Sequence, residues 1–165
     1  MDGAARDDPQ WLDDEQIHDW KAVVALLTTL QAALDTQLKR DAGLNTFEYH
    51  VLVALESAPA GTQPMTDLVA LTQGSLSRLS HAITRLERSG WVERVACHDA
   101  RRRTSARLTD AGLQKLREAA PGHVREVRRL VVDALTRDEL DALGRCARAI
   151  VHEAAPEVAA VLDQE

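Results

Sequence analysis

Apolar residues recur along this chain in steps of three and four, and the stepping restarts several times. The first stripe is Ile17, Trp20, Val24, Leu27, Leu30, Leu34 and Leu38, the spacing of one helix face. Asp41-Ala42-Gly43 ends it, with glycine free to take a left-handed turn. Asn45-Thr46-Phe47-Glu48 has the pattern of a capping box. It predicts a helix carrying Tyr49, Leu52, Val53 and Leu55 that stops before Pro59-Ala60-Gly61. Thr66 is placed to cap a short helix with Leu68, Val69 and Leu71. Thr72 is placed to cap the next, over residues 73–89, in which Leu76, Leu79, Ile83 and Leu86 share a face and Gly90 is the stop. Residues 91–95 and 104–108 then alternate as two short strands around a polar, basic tip. Thr109 opens a helix over 110–135 that Pro121-Gly122 is expected to bend or break. Thr136-Arg137-Asp138-Glu139 is a second capping box. It starts a last helix with Leu140, Leu143, Ala147, Ile150, Ala154, Val158 and Val161 on one side.

Two short helices, a tight turn and a basic hairpin, in that order, predict a mainly α fold with a small β-hairpin wing, a winged helix–turn–helix. At about 100° per residue, the face of the second helix opposite its leucines carries Gly74, Ser77, Arg78, His81, Arg85 and Arg88. That face holds hydrogen-bonding groups, three arginines and no acid. Arginine pairs bidentately with guanine edges, and serine and histidine reach bases or phosphates. Gly74 and Ser75 are small enough for the backbone to approach nucleic acid at the positive end of the helix dipole.

Composition first argues against this reading and then sharpens it. The chain has 165 residues, 45% hydrophobic and 28% charged, which is the composition of a globular protein. Aromatics at 3% argue against a β-sandwich, a sugar groove or a platform for stacking single-stranded bases. The net charge of −6 disfavours a nucleic-acid partner when taken as a whole. It is unevenly spread. From Arg78 to Arg107 there are eight arginines and three acids, a segment of +5 that leaves −11 for the remainder. The positive charge thus falls on the two elements expected to meet DNA.

Other classes are excluded by what the chain lacks. No apolar run approaches the ~20 residues of a membrane helix, and the acidic start, residues 1–8, has no apolar core for a secretory signal. Cys97 and Cys146 make no Cys-x-x-Cys pair, so a reducing cytoplasm is the expected location. The histidines lack metal-ligand spacing, and no nucleophile elbow, phosphate loop or dinucleotide fingerprint is present. No enzyme activity, cofactor or metal is expected.

Several strings together resemble one family. They are Thr72-Gln73-Gly74-Ser75-Leu76-Ser77-Arg78-Leu79, Arg85-Leu86-Glu87-Arg88-Ser89-Gly90-Trp91-Val92, Asp99-Ala100-Arg101 and Leu108-Thr109-Asp110-Ala111-Gly112. Leu44 to Tyr49 and Thr136 to Leu140 extend the match, so that about residues 15–155 resemble the MarR family of bacterial transcriptional regulators. The resemblance implies a homodimer whose first and last helices interleave with those of a second copy. Each winged helix then reads one half of a pseudo-palindromic operator in double-stranded DNA. It implies a tail over 1–14, a dimerisation helix over 15–42, a DNA-binding lobe over 44–109 and completing helices over 110–165. The interface would include Ile17, Trp20, Val24, Leu27, Leu143, Ile150 and Val158.

Carried over by position, the resemblance puts Gln73, Ser75, Ser77, Arg78, His81 and Arg85 at the major groove. It puts the wing residues Asp99 and Arg101 at the minor groove, the aspartate orienting the inserted arginine. The stretch from Asp99 to Leu108 is one residue longer than in many relatives, so Arg102 is an alternative to Arg101, and the choice within Arg101, Arg102 and Arg103 stays open. Many such proteins are repressors released by a small aromatic or phenolic effector. Trp20, Phe47 and His50 lie on elements that could border the corresponding site, although a core role is the simpler reading of Trp20 and Phe47, and capping or satisfying core polar groups that of His50. Cys97 has Arg94, His98 and Arg101 nearby in sequence, the cationic setting that lowers a thiol pKa, but an unreactive cysteine is the simpler reading. The alternative function is a winged-helix protein-interaction module that does not bind DNA.

Overall fold

The computed structural model describes residues 9–96, 104–156 and 158–159. Among them six α-helices and three strands follow one another: α1 Asp14–Ala42, α2 Thr46–Glu56, β1 Thr62–Pro64, α3 Met65–Thr72, α4 Leu76–Arg88, β2 Val92–Ala96, β3 Thr104–Leu108, α5 Asp110–Val127 and α6 Arg137–Ala154. The chain divides into two compact units, Met1–Ala33 and Leu34–Glu165, with the boundary inside α1.

In the first unit, Asp13 and Gln16 exchange main-chain to side-chain hydrogen bonds at 2.8 and 3.1 Å, a reciprocal cap that starts α1 earlier than the apolar stripe indicates. Trp20 and Leu27 are 55% and 63% exposed, and Ile17 and Val24 are also exposed.

In the second unit, Leu38, Leu44, Leu52, Leu55, Leu68, Leu79, Ile83, Leu86, Val92 and Ala106 form one core with essentially no exposed surface. Each buried aliphatic side chain contributes about 1.5–3 kcal/mol, so the two helices of the helix–turn–helix are clamped onto α2. The strands form one antiparallel sheet in the order β1-β3-β2, with Glu93 opposite Arg107 and Gln63 opposite Ala106. The box at the start of α2 closes as expected: the Glu48 amide donates to Asn45 Oδ1 (2.9 Å), and the Asn45 amide donates to Glu48 Oε2 (3.0 Å). The Thr46 amide donates to Asp35 Oδ1 (3.0 Å), which ties the end of α1 to the start of α2. The box at Thr136 and Glu139 also forms, and Gly43 and Gly90 take left-handed turns after α1 and α4.

Four details depart from the pattern reading. Thr66 lies inside α3, whose first residue follows Pro64, and its hydroxyl donates to Asp67 rather than capping. Thr72 ends α3 with its hydroxyl bonded back to the Leu68 carbonyl (2.6 Å); Ser75 is the cap of α4. The strand β1 adds an edge that was not anticipated, because three residues ending in proline carry no period. Pro121 does not break α5. Proline removes the amide that would bond the Arg117 carbonyl, and both residues are exposed. The irregularity comes later, in a π turn at Arg128–Val132.

His123 on α5 packs its ring 4.6 Å from that of Tyr49, and its Nδ1 is buried without a hydrogen-bond partner among the described residues. Burial, and then the nearby His50, lower its pKa. The folded chain therefore resists protonation that the unfolded chain accepts near the ordinary value of ~6.5. Stability from this site is complete above that value and is lost as pH falls through it toward the folded pKa. A thermal melt is expected to shift down between about pH 7 and pH 5, and His123→Leu to flatten that decline.

Candidate nucleic-acid interface

The turn between α3 and α4 is built by three residues. Gln73 adopts the left-handed conformation (φ 52°) that closes α3, its amide donating to the Ala70 carbonyl, a strained choice for a residue with a Cβ. Gly74 follows, and a Cβ there would lie 2.6 Å from the ring of Phe47. Close packing by Phe47 therefore calls for a glycine here, independently of any approach of the backbone to nucleic acid. Ser75 then caps α4, its Oγ accepting from the Arg78 amide (3.1 Å).

On α4, Leu79, Ala82, Ile83 and Leu86 turn into the core. Gln73 and Ser75 at the helix start, and Ser77, Arg78, His81, Arg85 and Arg88 along it, are exposed together. Leu76 was expected among the inward leucines and is instead 60% exposed. It lines a cleft of about 370 Å³ with Met65, Thr66, Ser80, Arg94 and Thr104.

The arginine face is not free of acid, because α2 supplies one. Arg85 Nε lies 3.0 Å from Glu48 Oε1, and its Nη2 donates to Oε2 at 3.3 Å. Glu48 is buried, so this carboxylate is held by a guanidinium on one side and its capping amide on the other. Arg78 is held differently: its guanidinium carbon sits 4.3 Å from the centre of the Phe47 ring. Neither contact was anticipated. The capping box accounts for Glu48, Phe47 reads as core or as the border of an effector site, and a spacing of 37 residues between Glu48 and Arg85 leaves no periodic signal.

The wing is fixed to the same helix. Arg94 on β2 pairs with Glu87 and donates to the Ser80 carbonyl (3.2 Å) and Thr84 Oγ1 (2.9 Å). Across the hairpin Arg107 pairs with Glu93 at 2.7 Å. Of the five described arginines in the basic segment, three are therefore matched by carboxylates. Among the described residues Arg78 and Arg88 carry no ion pair. The tip candidates Asp99, Arg101, Arg102 and Arg103, and Cys97, lie outside the described residues.

The remaining candidates separate. Phe47 is buried in the core beneath Arg78, while His50 is exposed on α2. Leu143 and Val158 are half-buried, Ile150 is 60% exposed, and α6 buries none of its residues. Cys146 is an exposed free thiol. Among the described residues no cluster of histidine, cysteine and carboxylate side chains fits a metal ion, and no helix is long and apolar enough to cross a membrane.

A helix–turn–helix with an arginine-bearing second helix, braced against a small antiparallel wing, defines a winged-helix DNA-binding regulator. The chain is similar to the solved structure of Sco3205 from Streptomyces coelicolor, a MarR family transcriptional regulator in complex with DNA, at 40% identity and TM-score 0.86, over 90% of this chain and 92% of that one. It is also similar to AbsC, another MarR family transcriptional regulator from Streptomyces coelicolor, at 34% identity and TM-score 0.82, over 88% and 97% of the two chains. The chain belongs to the MarR family of transcriptional regulators, which are not enzymes. The PcaV regulator from the same organism shares the fold at 21% identity and TM-score 0.73, over 88% and 99% of the two chains. Neither a family model nor a curated protein sequence matches the chain.

Proposed function

We propose that this DNA-binding regulator acts as a homodimeric repressor on a pseudo-palindromic operator, released by a small aromatic or phenolic effector. The observation that carries the DNA reading is the exposed row Ser77, Arg78, His81 and Arg85 on a helix whose other face is locked into the core. In this reading that row and the cap residues Gln73 and Ser75 enter the major groove. The wing tip, with Asp99 and one of Arg101, Arg102 and Arg103, enters the minor groove. The DNA complex of Sco3205 supports this assignment over a protein-interaction module.

The dimer is supported by α6, an 18-residue amphipathic helix with no buried residue, and separately by the exposed apolar side chains of α1. A second copy covering them is the ordinary solution for such faces. Two half-sites would then lie about 34–36 Å apart. The effector part of the proposal rests on the family resemblance.

The test is a gel-shift titration on DNA from upstream of the protein's own gene. Arg101→Ala combined with Arg102→Ala is expected to weaken binding about tenfold or more and to flatten the salt dependence by one to two counterions. Unchanged affinity and slope would remove the wing from the interface.

A further inference from the structure

Two of the three arginines that face outward from α4, Arg78 and Arg85, are held by neighbouring residues of α2 in opposite ways. The Arg78 guanidinium lies over the Phe47 ring, its carbon 4.3 Å from the ring centre. A contact with a ring takes up no carboxylate-pairing geometry, and Arg78 carries no ion pair among the described residues, so its N–H groups are not claimed by an acid. Glu48 engages the edge of Arg85 instead, taking Nε and Nη2 onto its two oxygens at 3.0 and 3.3 Å. Bidentate reading of guanine O6 and N7 also needs the edge. Contact with Phe47 is thus compatible with base reading, and pairing with Glu48 competes with it.

Both holders are rigid. Phe47 and Glu48 are buried, Glu48 is held by the Asn45 amide, and the preceding residue is tied to Asp35 through the Thr46 amide. Gly74 supplies the space into which the Phe47 ring fits. The face that reads DNA is therefore set partly from below, by a helix that does not carry it.

Resting on the DNA-binding reading above, we infer that Phe47 and Glu48 are positioning residues for sequence recognition: Phe47 presents the N–H groups of Arg78 to a guanine, and Glu48 withholds Arg85 from base reading and neutralises it at the interface. Arg78 is then the specificity-determining arginine of α4, and Arg85 a brace whose charge is partly cancelled. A guanidinium free to move would bind any phosphate; one held over a ring gives up that freedom for one geometry.

The experiment uses the full chain, a duplex selected from a random library, and a scrambled duplex, each titrated at several salt concentrations. Arg78→Lys keeps the charge on an exposed side chain and should cut the preference for the selected duplex by about tenfold or more, with scrambled binding unchanged. Phe47→Leu should cut the preference several-fold with the salt slope unchanged, and should add little in the Arg78→Lys background. Glu48→Gln keeps an acceptor for the Asn45 amide and should raise scrambled-duplex affinity and steepen the salt slope, by up to about one counterion. In the Arg85→Gln background that effect should vanish. The inference is overturned if Phe47→Leu and Arg78→Lys act independently, or if Glu48→Gln acts equally with and without Arg85. The Glu48 and Arg85 cycle decides its half even where Phe47→Leu fails to fold. No preference of the wild-type chain for any selected duplex overturns the DNA reading itself, a different result from either of these.

Discussion

Gly112→Ala is expected to lower the melting temperature by about 5–10 °C, against the usual benefit of placing alanine in a helix. Gly112 is the third residue of α5, and its amide donates to Thr109 Oγ1 at 3.0 Å. A Cβ there would lie 2.0 Å from the Trp91 carbonyl oxygen and 2.8 Å from Leu108 Cδ1. Trp91 is main chain at the root of the wing and has no rotamer by which to withdraw. The same junction is held by the Thr109 amide on the Trp91 carbonyl (3.1 Å) and the Thr109 hydroxyl on the Gly90 carbonyl (2.7 Å). Relieving the clash must pull α5 away and stretch both bonds. Overpacking of about 1–3 kcal/mol and two hydrogen bonds of about 0.5–1.5 kcal/mol each outweigh the ~1 kcal/mol helix-propensity gain. A melting temperature equal to or above that of the wild type would show that the junction yields freely.

Introducing a charge into the apolar face of α6 is expected to have the largest effect on DNA binding. Ile150→Asp replaces a side chain that is 60% exposed, so the fold of one chain has little to lose. If a second copy covers that face, the aspartate is buried unpaired and the dimer separates. Sedimentation equilibrium should then report twice the 18.1 kDa chain mass for the wild type and a single chain for the variant. Joining two reading heads makes the second contact intramolecular, so operator affinity should fall about 100-fold or more while binding to a single half-site is preserved. Leu27→Asp tests the exposed face of α1 in the same way. A wild-type chain that sediments as one copy would remove the dimer from the account.

The two capping boxes, the helix periods and the hairpin were legible in the sequence because each is a local pattern. Asn45 with Glu48, and Thr136 with Glu139, announce themselves within four residues. The inward leucines of α4 were equally clear, apart from Leu76, whose position at the first turn takes it past the edge of the core into the cleft beside Thr104. The details that escaped depend on distant partners. Thr72 has the chemistry of a cap, but its hydroxyl turns back to Leu68 because Ser75 does the capping. Gly74 is explained only by a ring 27 positions earlier. The basic segment was legible as charge, while its division into braced and available arginines required Glu48, Glu87 and Glu93 to be seen against Arg85, Arg94 and Arg107. The acidity of the whole chain thus partly serves the reading lobe itself, matching arginines that hold helix and wing together.

A sequence-selective contact of residues 73–107 with duplex DNA is open to direct measurement. Fluorescence anisotropy of the wild-type chain with a selected operator and a scrambled duplex, across a salt series, measures it most directly. The expected result is a preference of about 1,000-fold or more for the operator, with affinity for both duplexes falling linearly in log–log form as salt rises. Equal affinity for the two duplexes at every salt concentration, or binding indifferent to salt, would contradict it.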